Sequence, residues 1–259
     1  LTAQITLADV AAAGTRAITV VNPAPGGGTS SAVDLTVNNP GPTVTTLSPS
    51  SKIAGDLAFT LTVNGTNFNG SSIVRLDGTD RTTAFVSATQ LTAQITLADV
   101  AAAGTRAIAV VNPAPGGGTS SVADLTVNNP APTASTLSPN SKSAGDAAFT
   151  LTVNGTNFNS SSVVRLAGSD RTTAFVSVTQ LTAQITVGDL ATAGTPAITV
   201  FNPAPGGGTS AATNLTVNNL APTLTLITPN TKVAGDAAFT LTVDGGNFTS
   251  GSVVRLDGT

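Results

Sequence analysis

The stretch that decides the fold is Phe59-Thr60-Leu61-Thr62-Val63-Asn64-Gly65-Thr66-Asn67-Phe68. Its first half alternates apolar and polar residues, which is the pattern of a strand with one buried face. Its second half is rich in Asn and Gly, so we expect it to bend the strand and to deliver Phe68 to the core. The stretch therefore predicts a β-strand followed by a sharp bend.

The same stretch recurs at 149–158 and, slightly altered, at 239–248, so the period is 90 residues. Leu1 to Leu7 also match Leu91 to Leu97 residue for residue. Solenoid repeats have periods of about 20 to 50 residues, so this longer period corresponds to a whole small domain. The sequence predicts tandem modules, each with its own core.

Short segments with proline separate the predicted modules, and they are 38–42 (NNPGP), 128–132 (NNPAP) and 218–222 (NNLAP). Proline fixes φ and restricts the preceding residue, so we expect short, semi-rigid linkers. We predict two complete modules, at 42–129 and 132–219. We further predict the C-terminal half of a module at 1–39 and the N-terminal half of another at 222–259.

Within 42–129 the alternation predicts roughly seven short strands with turns every 8 to 12 residues or so. Leu91, Ala93, Ile95 and Leu97 form the clearest inward row, and Ala98 to Gly104 have room for one helical turn. The nine phenylalanines occupy core-like positions, apart from Phe201, which faces outward. The fold class is all-β, with tandem immunoglobulin-like β-sandwich modules at a 90-residue period.

Charged residues make up only 9% of the chain, against roughly 25% in an ordinary domain. Ten lysines and arginines in 259 residues are too few for the clustered phosphate contacts of a nucleic-acid site, so we expect no such partner.

The absence of His and Cys excludes a Ser-His-Asp triad and a thiolate nucleophile. No apolar run predicts a transmembrane helix. We expect a segment that is not an enzyme, with no catalytic residue and no cofactor.

The turn Asp77-Gly78-Thr79-Asp80 offers two carboxylates, and Asp170 and Asp257 occupy related positions. Calcium takes about six to eight oxygen ligands, and Ala167 replaces the counterpart of Asp77 in the next repeat. We interpret the aspartates as turn residues and keep Asp77 and Asp80 as weak candidates for a metal site. No other metal ligand is predicted.

Repeated arginines have both a structural and a functional interpretation. Arg75, Arg165 and Arg255 recur within predicted strands, and Arg81 and Arg171 follow Asp80 and Asp170. We expect exposed ion pairs with neighbouring Asp, worth under about 1 kcal/mol each. The alternative is a role in contacts between modules.

The triplet Gly26-Gly27-Gly28 has the glycine content of a phosphate-binding loop. Such a loop needs a lysine and a following helix, whereas here no lysine follows and a strand is expected next. We therefore predict a hairpin loop.

Three segments resemble the IPT/TIG family, namely Leu47-Ser48-Pro49, Thr62 to Phe68 and Ile108 to Pro113. Through repetition the resemblance extends over essentially the whole chain. It implies an immunoglobulin-like sandwich of the E-set type and a place in bacterial surface proteins, but no particular activity. Some eukaryotic members bind DNA, and this chain lacks the charge for that.

We expect a structural segment of a secreted bacterial stalk, adhesin or extracellular filament, located outside the cell or at its surface. Its partners would be neighbouring modules or further copies of itself. The halves at 1–39 and 222–259 suggest head-to-tail joining by strand complementation, and the alternative is that the chain is a piece of a longer polypeptide. The second function class is an adhesive or carbohydrate-binding module or spacer, although Trp and Tyr platforms are absent.

Overall fold

A computed structural model describes residues 1–257. Regular structure is almost entirely β, and the chain divides into two compact units. Unit 1 comprises Leu1–Pro130 and Ala204–Gly207, and unit 2 comprises Ala131–Pro203 and the chain from Gly208 onward. Each unit contains a two-sheet, immunoglobulin-like sandwich, which confirms the predicted fold class.

The strands of unit 1 follow each other in short steps. They are β1 Gly14–Ile18, β2 Val21–Asn22, β3 Gly28–Thr29, β4 Val33–Val37, β5 Thr43–Ser48, β6 Ser51–Ile53, β7 Phe59–Thr66, β8 Ile73–Leu76, β9 Thr79–Asp80, β10 Thr83–Ser87, β11 Gln90–Ile95, β12 Gly104–Asn112, β13 Gly118–Thr119 and β14 Ala123–Asn128. A single 3-10 turn, Ala98–Val100, precedes β12.

The sandwich of unit 1 is built from β5 to β14. One sheet has the antiparallel order β10-β11-β7-β5, and the other has the order β6-β14-β12-β8-β9 with β13 on β12. Within this second sheet β6 pairs with β14 in parallel. Both sheets contribute apolar side chains to a core that includes Leu61, Val63, Leu91, Ile108 and Leu125.

Unit 2 repeats this plan. Its strands are β15 Thr133–Ser138, β16 Ser141–Ser143, β17 Phe149–Thr156, β18 Val163–Leu166, β19 Ser169–Asp170, β20 Thr173–Ser177, β21 Gln180–Ile185, β22 Ala197–Asn202, β23 Gly208–Thr209, β24 Thr213–Asn214, β25 Thr216–Asn218, β26 Thr223–Thr228 and β27 Thr242–Gly246, with a 3-10 turn at Gly188–Leu190.

The sandwich of unit 2 has the antiparallel sheet β15-β17-β21-β20. Facing strands run in the order β19-β18-β22-β23, with β24 on β22, and β16 pairs with β25 in parallel. Its core includes Leu151, Val153, Leu181, Ile198 and Leu215.

The bend in the deciding stretch lies later than predicted. β7 continues through Asn64, Gly65 and Thr66, and the chain turns at Asn67, which has a positive φ of 63°. Phe68 is buried, as expected. Gly65 is required inside the strand because a Cβ there would lie 1.9 Å from the carbonyl oxygen of Thr43 on β5.

Two expectations about apolar side chains were wrong. Leu97 is 51% exposed, because β11 ends at Ile95 and Val100 from the 3-10 turn enters the core instead. Phe85 and Phe175 are also exposed, since each lies on an edge strand, β10 or β20, beside a register shift. Phe201 is half-buried, with the Arg165 guanidinium 4.1 Å from its ring centre.

The segments at the two ends form small sheets, β1 with β4, β2 with β3, and β26 with β27. Their apolar side chains lie open where repeat counterparts are buried. Ile18, Val20 and Leu35 are exposed. Their counterparts one period later, Ile108, Val110 and Leu125, are completely buried. Phe248, Val254 and Leu256 are likewise exposed.

Among the described residues no helix is long and apolar enough to cross a membrane.

Candidate functional site

The structural feature that the repeats share most clearly is a docked linker. We use the term docking loop for residues 112–118, between β12 and β14, with the sequence NPAPGGG. In unit 1 the linker residue Asn39 pairs with this loop as an isolated parallel bridge to Gly116. The Asn39 amide donates to the Pro115 carbonyl at 2.8 Å, and the Gly117 amide donates to the Asn39 carbonyl at 2.7 Å.

The side chain of Asn39 is bonded as fully as its backbone. Its Nδ2 donates to the Pro113 carbonyl at 2.7 Å, and its Oδ1 accepts from Asn69 Nδ2 at 3.1 Å. Backbone amide, backbone carbonyl, side-chain donor and side-chain acceptor of one half-buried residue therefore all have protein partners. Such complete pairing removes the freedom that a solvated linker would have.

Asn112 anchors the next part of the linker from beneath. This buried side chain donates through Nδ2 to the carbonyls of Pro40, at 2.9 Å, and Asn67, at 2.7 Å. Its Oδ1 accepts from the buried hydroxyl of Ser72 at 2.6 Å. Because a buried amide without partners is costly, this arrangement holds the linker and the bend after β7 together.

Asn67, at the bend itself, donates through Nδ2 to the Gly41 carbonyl at 2.8 Å. The same bond recurs in unit 2, from Asn157 to Ala131, and again from Asn247 to Ala221. Asparagine suits this position because it tolerates the positive φ, which is 63° at Asn67, 62° at Asn157 and 62° at Asn247.

The linker contact explains Gly116 of the docking loop, whereas Gly117 is required by the loop's own backbone. A Cβ at Gly116 would lie 2.5 Å from Asn38 Cβ, and one at Gly117 would lie 2.4 Å from the Asn112 carbonyl oxygen. The triplet turns the chain from β12 into β13, and the Gly117 amide donates to the peptide carbonyl of Asn39 in the linker. Sequence reasoning predicted the turn and missed the partner. The available signal was the joint recurrence of the NN-x-x-P linker and the NPAPGGG loop.

A second linker residue docks in the same way. In unit 1 the Asn129 amide donates to the Pro205 carbonyl at 2.7 Å, and the Gly207 amide donates to the Asn129 carbonyl at 2.8 Å. A Cβ at Gly206 would lie 2.6 Å from Asn128 Cβ. The docked geometry therefore occurs twice in the described chain.

A cleft of about 630 Å³ borders the first docked linker in unit 1. Its lining includes Val10, Asn39, Asn67 and Asn69. The amide groups of these three asparagines are already bonded within the linker contact.

The two candidate metal ligands, Asp77 and Asp80, make different contacts in the structure. Asp77 begins the tight turn after β8, with φ values of 49° at Asp77 and 80° at Gly78, and its Oδ1 accepts from the Ala107 amide at 2.8 Å. Asp80 instead pairs with Arg75, Nε to Oδ1 at 2.6 Å. Among residues 1–257 no three His, Cys, Asp or Glu side chains are grouped for a metal. The weak metal site stays a prediction.

Arg81 differs from the exposed pair that we expected. Its Nη2 donates to Asp99 Oδ1 at 2.6 Å, and the two side chains are only 16% and 11% exposed. Arg171 and Asp189 form the same contact at 2.6 Å in unit 2. Asp99 comes from the 3-10 turn, so the charged partner is distant in sequence. The adjacent Asp80 offers Arg81 only its backbone carbonyl, while its carboxylate pairs with Arg75.

The protonation of these buried carboxyls follows from their contacts. Burial raises the pKa of Asp99, but hydrogen bonds from the amide and hydroxyl of Thr96 and from Arg81 outweigh it, so the pKa lies below its usual value. Burial likewise raises the pKa of Asp189, but hydrogen bonds from Arg171 and from the amide and hydroxyl of Thr186 together outweigh it and lower that pKa below its usual value. Both groups are thus ionised, structural partners of arginine at neutral pH.

Two consecutive segments of the chain match a known domain family. The IPT/TIG domain model matches residues 42–127 and 132–217. No curated protein sequence matches the chain. Among solved structures, one with a xylogluco-oligosaccharide has a TM-score of 0.45 and 17% identity, covering 81% of this chain, which spans 47% of that one.

Two further structures show the range of the similarity. SGBP-B of the Bacteroides ovatus mixed-linkage glucan utilization locus, in complex with a mixed-linkage heptasaccharide, has a TM-score of 0.27, 17% identity and coverage of 86% and 60% of the two chains. A 1.5-MDa bacterial ice-binding adhesin has a TM-score of 0.27, 17% identity and coverage of 79% and 74%. Since the family model accounts for most of its length in two consecutive copies, the chain belongs to the IPT/TIG domain family.

Proposed function

We propose that this chain is a non-catalytic structural segment of a bacterial stalk, adhesin or filament outside the cell or at its surface. The observation that carries the proposal is the docked linker, found at Asn39 and again at Asn129. At Asn39 the backbone and side-chain polar groups are all bonded to protein, mostly to the repeat that follows, which fixes this linker residue within unit 1. A segment that keeps neighbouring domains at a fixed distance, or that transmits force along a stalk, needs linkers that are held in this way.

The outer faces of the sandwiches fit this role. On the sheet of β7 and β11, Gln94 Nε2 donates to Thr60 Oγ1 at 3.0 Å and Gln90 Nε2 donates to Asn64 Oδ1 at 3.0 Å. Neutral cross-strand pairs thus stabilise a polar surface that carries few charges. Low charge reduces repulsion between copies that lie side by side.

Head-to-tail joining by strand complementation is part of the proposal. Residues 1–39 expose Ile18 and Leu35 at positions that are buried in the complete sandwiches, and residues 222–257 expose Phe248 and Val254 at positions that are buried there too. In a complete sandwich, the counterpart of residues 222–257 covers the apolar face of the counterpart of residues 1–39, and the reverse is also true. We therefore assign the missing cover to a second copy, and adjoining sequence of a longer chain is the alternative.

The test is sedimentation velocity of the 259-residue chain over a wide concentration range. We expect oligomers that grow with concentration and weaken in Leu35→Asp, because a carboxylate would enter the joined core. Val122→Asp makes the same change at an exposed position of a complete sandwich and should have no effect. A chain that stays monomeric throughout would contradict the joining.

The structural role is tested separately by electron microscopy of the native material. Ordered filaments or stalks with a repeat that matches the modules would support it. Isolated flexible strings would contradict an assembled filament and leave a spacer.

A second candidate function, an adhesive or carbohydrate-binding face, is favoured by one observation. Phe85 is 48% exposed and Phe175 is 42% exposed, in the same position of two sandwiches. Exposed rings offer apolar faces on which sugars stack. Glycan-array binding that disappears in Phe85→Ser/Phe175→Ser, but persists in the matched Val86→Ser/Val176→Ser variant, would establish this candidate.

A further inference from the structure

We propose that the loop at residues 22–28 is a vacant docking site, and that its occupant is the linker at residues 218–222 of a second copy of this chain. The inference rests on the proposed head-to-tail joining and names the contact that would align the two copies. It is carried by three loops of identical sequence, two occupied and one vacant, in a single chain.

The vacancy is visible at the first glycine of each loop. A Cβ at Gly116 or Gly206 would lie within 2.5 Å or 2.6 Å of a linker side chain, whereas a Cβ at Gly26 would meet nothing within 4 Å. Residues 22–28 are all exposed. The groups that hold Asn39 in the occupied loop have counterparts here, namely the carbonyls of Pro23 and Pro25 and the amide of Gly27.

The vacant loop also has a different backbone conformation. In the occupied loops three successive glycines have positive φ, with 67°, 70° and 109° at 116–118 and 66°, 69° and 108° at 206–208. In the vacant loop only Gly26 has a positive φ, at 85°. Docking therefore coincides with one particular loop conformation, which three consecutive glycines can adopt without a Cβ penalty.

The proposed occupant is the one linker in the described chain that lies open. Asn219 and its neighbours at 218–222 are exposed, whereas Asn39 and Asn129 are half-buried. The segment keeps both asparagines and the final proline, and Leu220 still provides the carbonyl that Asn112 binds at Pro40. Neither the loop nor this linker carries a charge, so no repulsion opposes their pairing.

This linker already makes one hydrogen bond of the docked linker. In unit 2, Asn247 Nδ2 donates to the Ala221 carbonyl at 2.9 Å, as Asn67 does to Gly41 at 2.8 Å in the docked case. A segment that is held in its bound conformation loses less entropy on binding. One contact changes, because Thr249 stands where Asn69 bonds the docked asparagine, so the proposed contact has one fewer amide donor.

The experiment titrates the 259-residue chain, labelled with ¹⁵N at glycine, with a synthetic peptide of residues 216–224. We expect saturable shifts of the Gly26 to Gly28 amides toward the resonances of the docked triplet at 116–118. We expect a dissociation constant in the millimolar range. Docking replaces a few hydrogen bonds to water with hydrogen bonds to protein, and each replacement contributes little net free energy. A peptide with Asn219→Asp should not bind, because it lacks the side-chain donor.

The matched variants are Gly26→Ala and Gly55→Ala. Both glycines have nearly the same φ, 85° and 86°, and a Cβ at either meets nothing within 4 Å. Only the methyl group at 26 would collide with a docked linker, so Gly26→Ala should abolish the shifts and Gly55→Ala should preserve them.

Absence of shifts in the unsubstituted chain, or equal shifts with the Asn219→Asp peptide, would overturn the inference. These outcomes differ from failure of the joining itself. A chain that self-associates without binding the peptide joins through its apolar faces alone. A monomeric chain that binds the peptide retains the docking site and disproves the joining.

Discussion

The amide of Gly117 donates a 2.7 Å hydrogen bond to the carbonyl of Asn39, although the two residues lie in different predicted modules. The last loop of one sandwich thus binds the segment that enters it. Because the linker is bonded on both its backbone and its side chain, the junction is part of the folded structure of unit 1 and not a tether beside it.

We expect Asn39→Asp to loosen this junction. The carboxylate cannot donate to the Pro113 carbonyl and would repel it, at a cost of about 1 to 3 kcal/mol. Exchange protection of the Asn39-site and Gly117 amides should fall by about tenfold or more, measured by hydrogen exchange. Asn38→Asp adds the same charge at an exposed neighbour, and unchanged protection there would identify the donor as the cause. Equal loss in both variants would contradict the assignment.

Gly65→Ala should destabilise the sandwich of unit 1 by about 3 kcal/mol or more. Its Cβ would lie 1.9 Å from the Thr43 carbonyl oxygen and 2.6 Å from the Phe68 ring, so β5 and β7 would have to separate. Urea unfolding measures this loss. A Cβ at Gly70, five residues on, meets nothing within 4 Å, and Gly70→Ala should change stability little. Similar midpoints for the two variants would refute the close packing.

Asp99→Asn should cost about 2 to 3 kcal/mol, because it leaves the mostly buried guanidinium of Arg81 without its charged partner. Asp80→Asn removes the partner of Arg75 in an exposed pair and should cost less than about 1 kcal/mol. Thermal or urea unfolding compares the two. Equal losses would mean that burial does not strengthen the Arg81 pair.

The free energy of unfolding should fall in acid, because Asp99 and Asp189 stabilise the fold as ionised partners of arginine. The pKa values of Asp99 and Asp189 are lowered in the folded state, whereas an unfolded aspartate has a pKa of about 3.9. The contribution is therefore complete above about pH 4 and is lost as pH falls through the folded pKa, because the unfolded state binds protons first. Urea unfolding from neutral pH to below pH 4 should show this decline. Asp99→Asn/Asp189→Asn should flatten it, and an undiminished slope would assign the acid sensitivity to other carboxyls.

The two sandwiches differ where β12 pairs with β14, because β22 is shorter than β12 and the counterpart of β14 is divided into β24 and β25. β12 begins at Gly104 and includes Arg106, whose Nε donates to the Asp99 carbonyl at 2.8 Å, whereas β22 begins only at Ala197, after Pro196. Proline lacks the amide that would extend the ladder. Pro196→Arg should lengthen β22 and stabilise unit 2 by about 1 kcal/mol, seen in thermal unfolding. Pro196→Ala restores the amide alone and should recover part of the gain. Loss of stability in both would show that the fixed φ of proline matters more.

Much of the architecture could be predicted from local pattern. The alternation at Leu61 and Val63 predicted β7, and the identical spacing of its copies predicted separate cores. Both could be predicted because strand faces and repeat periods depend only on the order of residues along the chain. Prediction failed at Leu97 and at Phe85, where the pattern is the same but the strand ends or lies at an edge. Exposure there depends on neighbouring strands, which local sequence does not specify.

By itself, the sequence determined the all-β class, the immunoglobulin-like repeat and the turn glycines, since each of these depends on residues that are close along the chain. Only the tertiary structure decided that Arg81 pairs with Asp99 and that Asn39 docks on the loop at 112–118. Those contacts join residues that are far apart in the chain, and their partners are set by how two sheets stack and where a bend places its amides. The recurrence of the linker and loop segments marks both of them in the sequence, but it does not specify which groups bond, so the pairing becomes visible only when the chain is folded.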